Sequence, residues 1–201
     1  IMVGPDVWMD TESNPDFIED AALYRAWRLK AAEEGLRVRI GRWNVPGKPT
    51  AILVDFKQFL THQNEILTRF WKEFGVDSLT GNWDYRESAL FGYAAGRVIE
   101  SFYRFNLDSS DKVVAQFHEW MTGTGLLYLK SKNVPVATVF TTHATVIGRC
   151  IAGNNLPLYD GILGYNADEK ARHFNVVARH SLEKKAAQNS DIFTTVSDIT
   201  A

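Results

Sequence analysis

The 201-residue chain is 45% hydrophobic and carries six tryptophans and seven tyrosines, enough apolar surface for one sizeable core and too little chain for a second. Its 22 Lys and Arg oppose 24 Asp and Glu, a formal net charge of −2, which leaves no broad positive field to hold a nucleic-acid backbone. A single cysteine, Cys150, excludes an intrachain disulfide and disfavours a thiolate zinc site, and no apolar run reaches the ~20 residues a membrane span needs, so a soluble cytoplasmic protein is expected.

The chain opens on Ile1-Met2-Val3-Gly4-Pro5, which reads as a strand leaving into a loop, and closes on Asp191 to Ala201, a strand feeding a polar cap. A piece of a larger protein is the expectation. Phe17, Ala21, Tyr24 and Leu29 fall at roughly helical spacing and predict a helix over Pro15 to Glu34, with Asn14 as its cap and Gly35 as its stop. Leu36 to Ile40 alternates apolar and arginine side chains, a half-exposed strand, and Ala51 to Phe56 reads as a second strand paired antiparallel to it after the turn at Pro46-Gly47-Lys48-Pro49. Phe59 to Phe74 and Ser88 to Phe105 read as helices, and Gly75 to Tyr85 as the loop between them.

The second half alternates more regularly. Lys112 to Phe117 predicts a short strand, Thr122 to Lys130 a helix, and Pro135 to Phe140 an apolar strand of the kind buried on both faces of a parallel sheet. A long helix from Asp168 to Gln188 and a returning strand over Ile192 to Val196 complete the pattern. This order predicts a single α/β domain of layered, mostly parallel architecture.

In such sheets the ligand crevice lies beyond the carboxyl ends of the strands. One end carries Phe117-His118-Glu119-Trp120, the next Thr141-Thr142-His143-Ala144-Thr145 followed by Gly148-Arg149, and a third Thr194, Thr195 and Ser197. Neighbouring parallel strands would bring His118, Glu119, His143, Arg149 and Ser197 together. His143 reads either as a ligand-facing histidine or as a capping or core one, and Arg149 either as a phosphate or sugar contact or as half of a salt bridge. In an extended backbone His118 and Glu119 point opposite ways, so one would enter the site and the other brace the loop. Ser197 is expected to cap a following helix.

A metal site is not expected: His-Glu-x-x-His is missing, and His173 and His180 lie seven apart on a predicted helix, where packing or exposure explains them. The glycine-punctuated stretch Thr145 to Tyr165 matches neither a dinucleotide fingerprint nor a P-loop. Most aromatic rings belong to the core, but Trp83-Asp84-Tyr85-Arg86-Glu87 combines charge and rings in a manner suited to a polyhydroxylated ligand or to a contact surface, with Trp83 and Tyr85 as its candidate ring contacts.

Thr138-Val139-Phe140-Thr141-Thr142-His143-Ala144-Thr145-Val146-Ile147-Gly148-Arg149, with Gln116 to Trp120, closely resembles the eukaryotic-type glycogen (starch) synthases. The resemblance extends through Gly41-Arg42-Trp43, Trp83 to Glu87, Ala89 to Gly92, Tyr165 to Lys170 and Phe193 to Thr200, nearly the whole chain, while Cys150-Ile151-Ala152-Gly153 departs from the family's text. It implies a retaining glycosyltransferase of the two-domain GT-B fold, of which residues 1–201 would be the partial N-terminal, acceptor-side Rossmann-like domain, a three-layer unit with a mostly parallel sheet.

The implied reaction transfers glucose from UDP-glucose or a related nucleotide sugar, a substrate and not a cofactor, to the 4-hydroxyl of an α-1,4-glucan, with Trp83 and Tyr85 as candidate glucan contacts; no cofactor is implied. The implied partners are glycogen and a C-terminal nucleotide-sugar domain of the same polypeptide, without which the chain is expected to be inactive. A homo-oligomer stays open, and neither nucleic acid nor membrane is implied. Carried over by position, His143 becomes the catalytic residue and His118, Glu119, Arg149 and Asn166 substrate-binding residues. The competing expectation is a glucan-binding or assembly module of the same fold without catalysis.

Overall fold

The strands of the computed structural model, which describes residues 1–7 and 16–196, fall into two sheets. The first has the order β1-β4-β3-β2, from β1 (Met2–Pro5), β2 (Phe17–Glu19), β3 (Val38–Trp43) and β4 (Thr50–Val54). The second has the order β5-β6-β7, from β5 (Val114–His118), β6 (Ala137–Thr142) and β7 (Ile192–Thr195). Pairings of β1 with β4, β5 with β6 and β6 with β7 are parallel, whereas β2–β3 and β3–β4 are antiparallel. With their flanking helices these strands form a mixed α/β domain of mostly parallel pairing, the Rossmann-like architecture of one half of a GT-B fold.

The helices are α1 (Arg25–Glu33), α2 (Gln63–Phe74), α3 (Trp83–Asn106), α4 (Gly123–Ser131), α5 (Val146–Gly153), α6 (Leu158–Gly161), α7 (Ala167–His173) and α8 (Val177–Asn189). One continuous core joins α1 to α4, β3 to β6 and α8, with Trp27, Phe70, Tyr85, Leu90, Leu126 and Phe140 almost wholly buried. Trp27 is anchored there by a hydrogen bond from its Nε1 to Ser101 Oγ at 3.1 Å.

Three predicted elements are redrawn. The helix expected from Pro15 is instead strand β2 followed by α1, because Phe17 pairs with Trp43 across the sheet and packs on its ring at 6.4 Å. Tertiary pairing here overrides a local helical period. The expected Asn14 cap lies outside the described residues, but Gly35 does end α1, in a left-handed conformation at φ 74. The single long helix after Asp168 is two helices, since Asn175, at φ 55, turns the chain between α7 and α8; asparagine tolerates that region better than most residues. The loop up to Tyr85 ends early, at Asn82, whose side chain accepts a hydrogen bond from the Tyr85 amide at 3.1 Å and starts α3 at Trp83.

The parallel register places the carboxyl ends of β5, β6 and β7 side by side, with His118 opposite Thr141 and Thr142 opposite Thr195. Asp191 pins the entry of β7: its carboxylate accepts from the Thr138 amide at 2.7 Å and from Lys130 Nζ, and these bonds hold it down at about 2.

Candidate active site

Beyond those strand ends, the chain leaves β6 through His143, Ala144 and Thr145 and enters α5, with Thr145 Oγ1 accepting from the Gly148 amide at 3.0 Å as the helix cap. His118 Nδ1 lies 3.2 Å from His143 Nε2, a hydrogen bond whose direction follows the tautomers. Glu119 departs from extended geometry, at φ 62, so it does not simply point away from its neighbour. Its Oε1 accepts from the His143 amide at 2.7 Å and stands 3.6 Å from Arg149 Nη2. Arg149 Nε also donates to the Ala144 carbonyl at 3.2 Å. Four of the five residues predicted to converge do so; Ser197 lies outside the described residues.

Glu183 of α8 joins them, a residue that no motif in the sequence singles out. It is 6% exposed, and its Oε2 and Oε1 accept from the Val146 amide at 3.0 and 3.2 Å. Burial raises its carboxyl to about 7, with Glu119 adding to the shift and the Val146 amide and Arg149 opposing it. The Thr142 hydroxyl is buried beside it without a well-formed hydrogen bond. The only sequence signal was position: Glu183 follows Leu182 on the side of α8 that buries Ala178 and Ala186, a place where a charge needs a partner.

These side chains form a polar edge able to donate to and accept from a hydroxylated or phosphorylated ligand. Among the described residues no group of three His, Cys, Asp or Glu is placed to hold a metal ion. The glycogen synthase family model matches residues 1–201. The chain belongs to the glycogen synthase family.

It is 37% identical over 166 residues to glycogen [starch] synthase of Dictyostelium discoideum, covering 83% of this chain and 18% of that protein. Identity is 32% over 189 residues to the Neurospora crassa glycogen [starch] synthase, covering 94% and 26%. Isoform 2 of Saccharomyces cerevisiae is 33% identical over 168 residues, covering 83% and 24%. The chain therefore spans between 18% and 26% of the length of these curated relatives.

Other candidate residues of this glycogen synthase family chain sit elsewhere. Asn166 caps α7, its side chain accepting from the Asp168 and Glu169 amides at 3.0 and 3.1 Å. Trp83 is 54% exposed on the first turn of α3, beside the Asp84–Arg179 ion pair of 3.4 Å. Tyr85 is wholly buried, stacked on Trp120 with ring centres 5.9 Å apart, and burial near Asp77 pushes its hydroxyl above the ordinary phenol range. Trp120 in turn lies under the Arg179 guanidinium, 5.3 Å from the ring centre. A cavity of about 430 Å³ adjoins this aromatic group, lined by Asp77, Asn82, Tyr85, Arg172 and Arg179. A second, of about 870 Å³, lies by α1 and β3 and is lined by none of His118, Glu119, His143 or Arg149.

Proposed function

We propose that the whole protein transfers glucose from UDP-glucose to the 4-hydroxyl of an α-1,4-glucan with retention, and that this chain supplies the acceptor-side wall of the cleft. The observation carrying this reading is the meeting of His118 and His143 at one strand edge, with Glu119 on the His143 amide. Glucosyl transfer builds positive charge on the sugar while the departing diphosphate becomes more negative. Donors fixed before the reaction stabilise such charge without reorganising, which suits an imidazole held by a backbone anchor and a second ring. Arg149, 61% exposed, offers its guanidinium toward a phosphate once the cleft closes.

Most donor contacts and the essential carboxylate belong, on this reading, to a C-terminal domain, so the isolated chain transfers no glucose. The acceptor is glycogen, and the compartment is the cytoplasm. The test is His143→Ala in the full-length protein, assayed for incorporation of glucose from UDP-glucose into glucan. Loss of turnover on the order of 100-fold is expected; native turnover overturns the assignment of His143.

A second reading, a glucan-binding module without catalysis, is favoured by the exposed Trp83 indole, which lies in the chain between Asn82 and Tyr85, two residues that line the 430 Å³ cavity. Calorimetry with maltooligosaccharides on the native protein and on Trp83→Ala separates the two. Glucan binding lost with Trp83, in a full-length protein that incorporates no glucose from UDP-glucose, selects the module.

A further inference from the structure

The turn that carries His143 is held at both ends by carboxylates from distant parts of the chain. At its start, the His143 amide donates to Glu119 Oε1 at 2.7 Å. Where it becomes α5, the Val146 amide donates to both oxygens of Glu183, at 3.0 and 3.2 Å. Thr145 already caps α5 through the Gly148 amide, so Glu183 satisfies a different orphan donor of the first turn.

Glu183 stands on a rigid support. Leu182 and Ala186 beside it are fully buried and pack onto α4, where a Cβ on Gly123 would meet both at 3.2 Å. Burying a carboxyl at such a place costs folding energy that a neutral, apolar side chain would not. The polar and charged groups that act on its carboxyl belong to the site: Glu119 beyond β5, Thr142 at the end of β6, and Arg149 and the Val146 amide on α5. A side chain serving only to join α8 to α5 would not have to face these groups.

We propose that Glu183 is a positioning residue for glucosyl transfer. From α8 it fixes the α5 end of the 143–146 turn while Glu119 fixes the other, and the two together keep the His143 imidazole against His118. This inference rests on the reading of His143 given above.

The test uses the full-length protein with Glu183→Leu and Glu183→Gln, the second retaining one acceptor oxygen. Amide hydrogen exchange followed by mass spectrometry reads the clamp, and steady-state transfer from UDP-glucose reads its consequence. In E183L, exchange over residues 143–149 speeds up while strand 137–142 keeps its native protection. In the same variant kcat falls by about tenfold or more, the scale expected when a reacting group is slightly misplaced, and the donor KM stays within about twofold. E183Q falls between E183L and the native protein in both measurements.

Native exchange over residues 143–149 in both variants overturns the proposal, and so does faster exchange with native kcat. If E183L does not fold, E183Q decides: native exchange and native kcat together overturn it. His143→Ala, measured alongside, separates the two readings. Native turnover in that variant removes the transfer assignment itself, whereas its loss with native E183Q behaviour removes only the role of Glu183.

Discussion

His118 Nδ1 and His143 Nε2, from residues 25 positions apart in the chain, meet at 3.2 Å because β5 and β6 run parallel and end in register. Neither ring has that partner when the other is removed. His118→Ala is therefore expected to act through His143, lowering glucosyl transfer about tenfold. The double variant should be no slower than His143→Ala alone. Measured rates for the two single variants and the double variant decide this; multiplicative losses would show the rings acting independently.

The placement of this pair was legible from sequence because each histidine directly follows a short run of strand-forming residues, and parallel strands put such ends together. Glu183 was not, since nothing in its spacing links α8 to the turn after β6; only folding brings its carboxylate to the Val146 amide. Phe17 misled for the opposite reason. Its spacing to Ala21 and Tyr24 fits a helix, but the ring finds Trp43 and the Arg39 guanidinium, 5.4 Å from its centre, only as part of a strand. Tyr85 shows a third limit: an aromatic residue flanked by charges in sequence became core, because the Asn82 cap starts a helix that turns the ring inward onto Trp120.

The buried Glu183 carboxyl sets a pH dependence of stability. Its carboxyl is raised from 4.5 in the unfolded chain to about 7 in the fold, so between those values the folded protein holds a proton that the unfolded chain has released. The contribution of this group to stability is then largest below 4.5, declines as pH rises through the window and levels off above 7, a span on the order of 3 kcal/mol. Glu183→Gln removes it. Urea denaturation of native and E183Q protein across pH 4.5 to 8 should show the native protein losing ground steadily relative to the variant; a constant difference overturns the assignment.

The crossing of α3 and α4 supports β5 from behind and leaves no room for a methyl group. A Cβ on Gly92 would collide with Thr124 Oγ1, and one on Gly125 would lie 2.6 Å from the Gly92 carbonyl and 3.0 Å from the Phe117 ring. Thr124 cannot swing aside cheaply, being wholly buried with its hydroxyl donating to the Ala89 carbonyl at 2.6 Å. Alanine is the better helix former by about 1 kcal/mol, but forcing a methyl group into a closed contact costs about 1–3 kcal/mol and here displaces backbone. Gly92→Ala and Gly125→Ala should each lower the melting temperature, the second also disturbing Phe117, the residue before His118. Gly153→Ala supplies the contrast, because a Cβ at the end of α5 meets nothing within 4 Å. That variant should match or exceed native stability, and calorimetric melting of all three decides whether the glycines at the crossing are required by contact or merely tolerated.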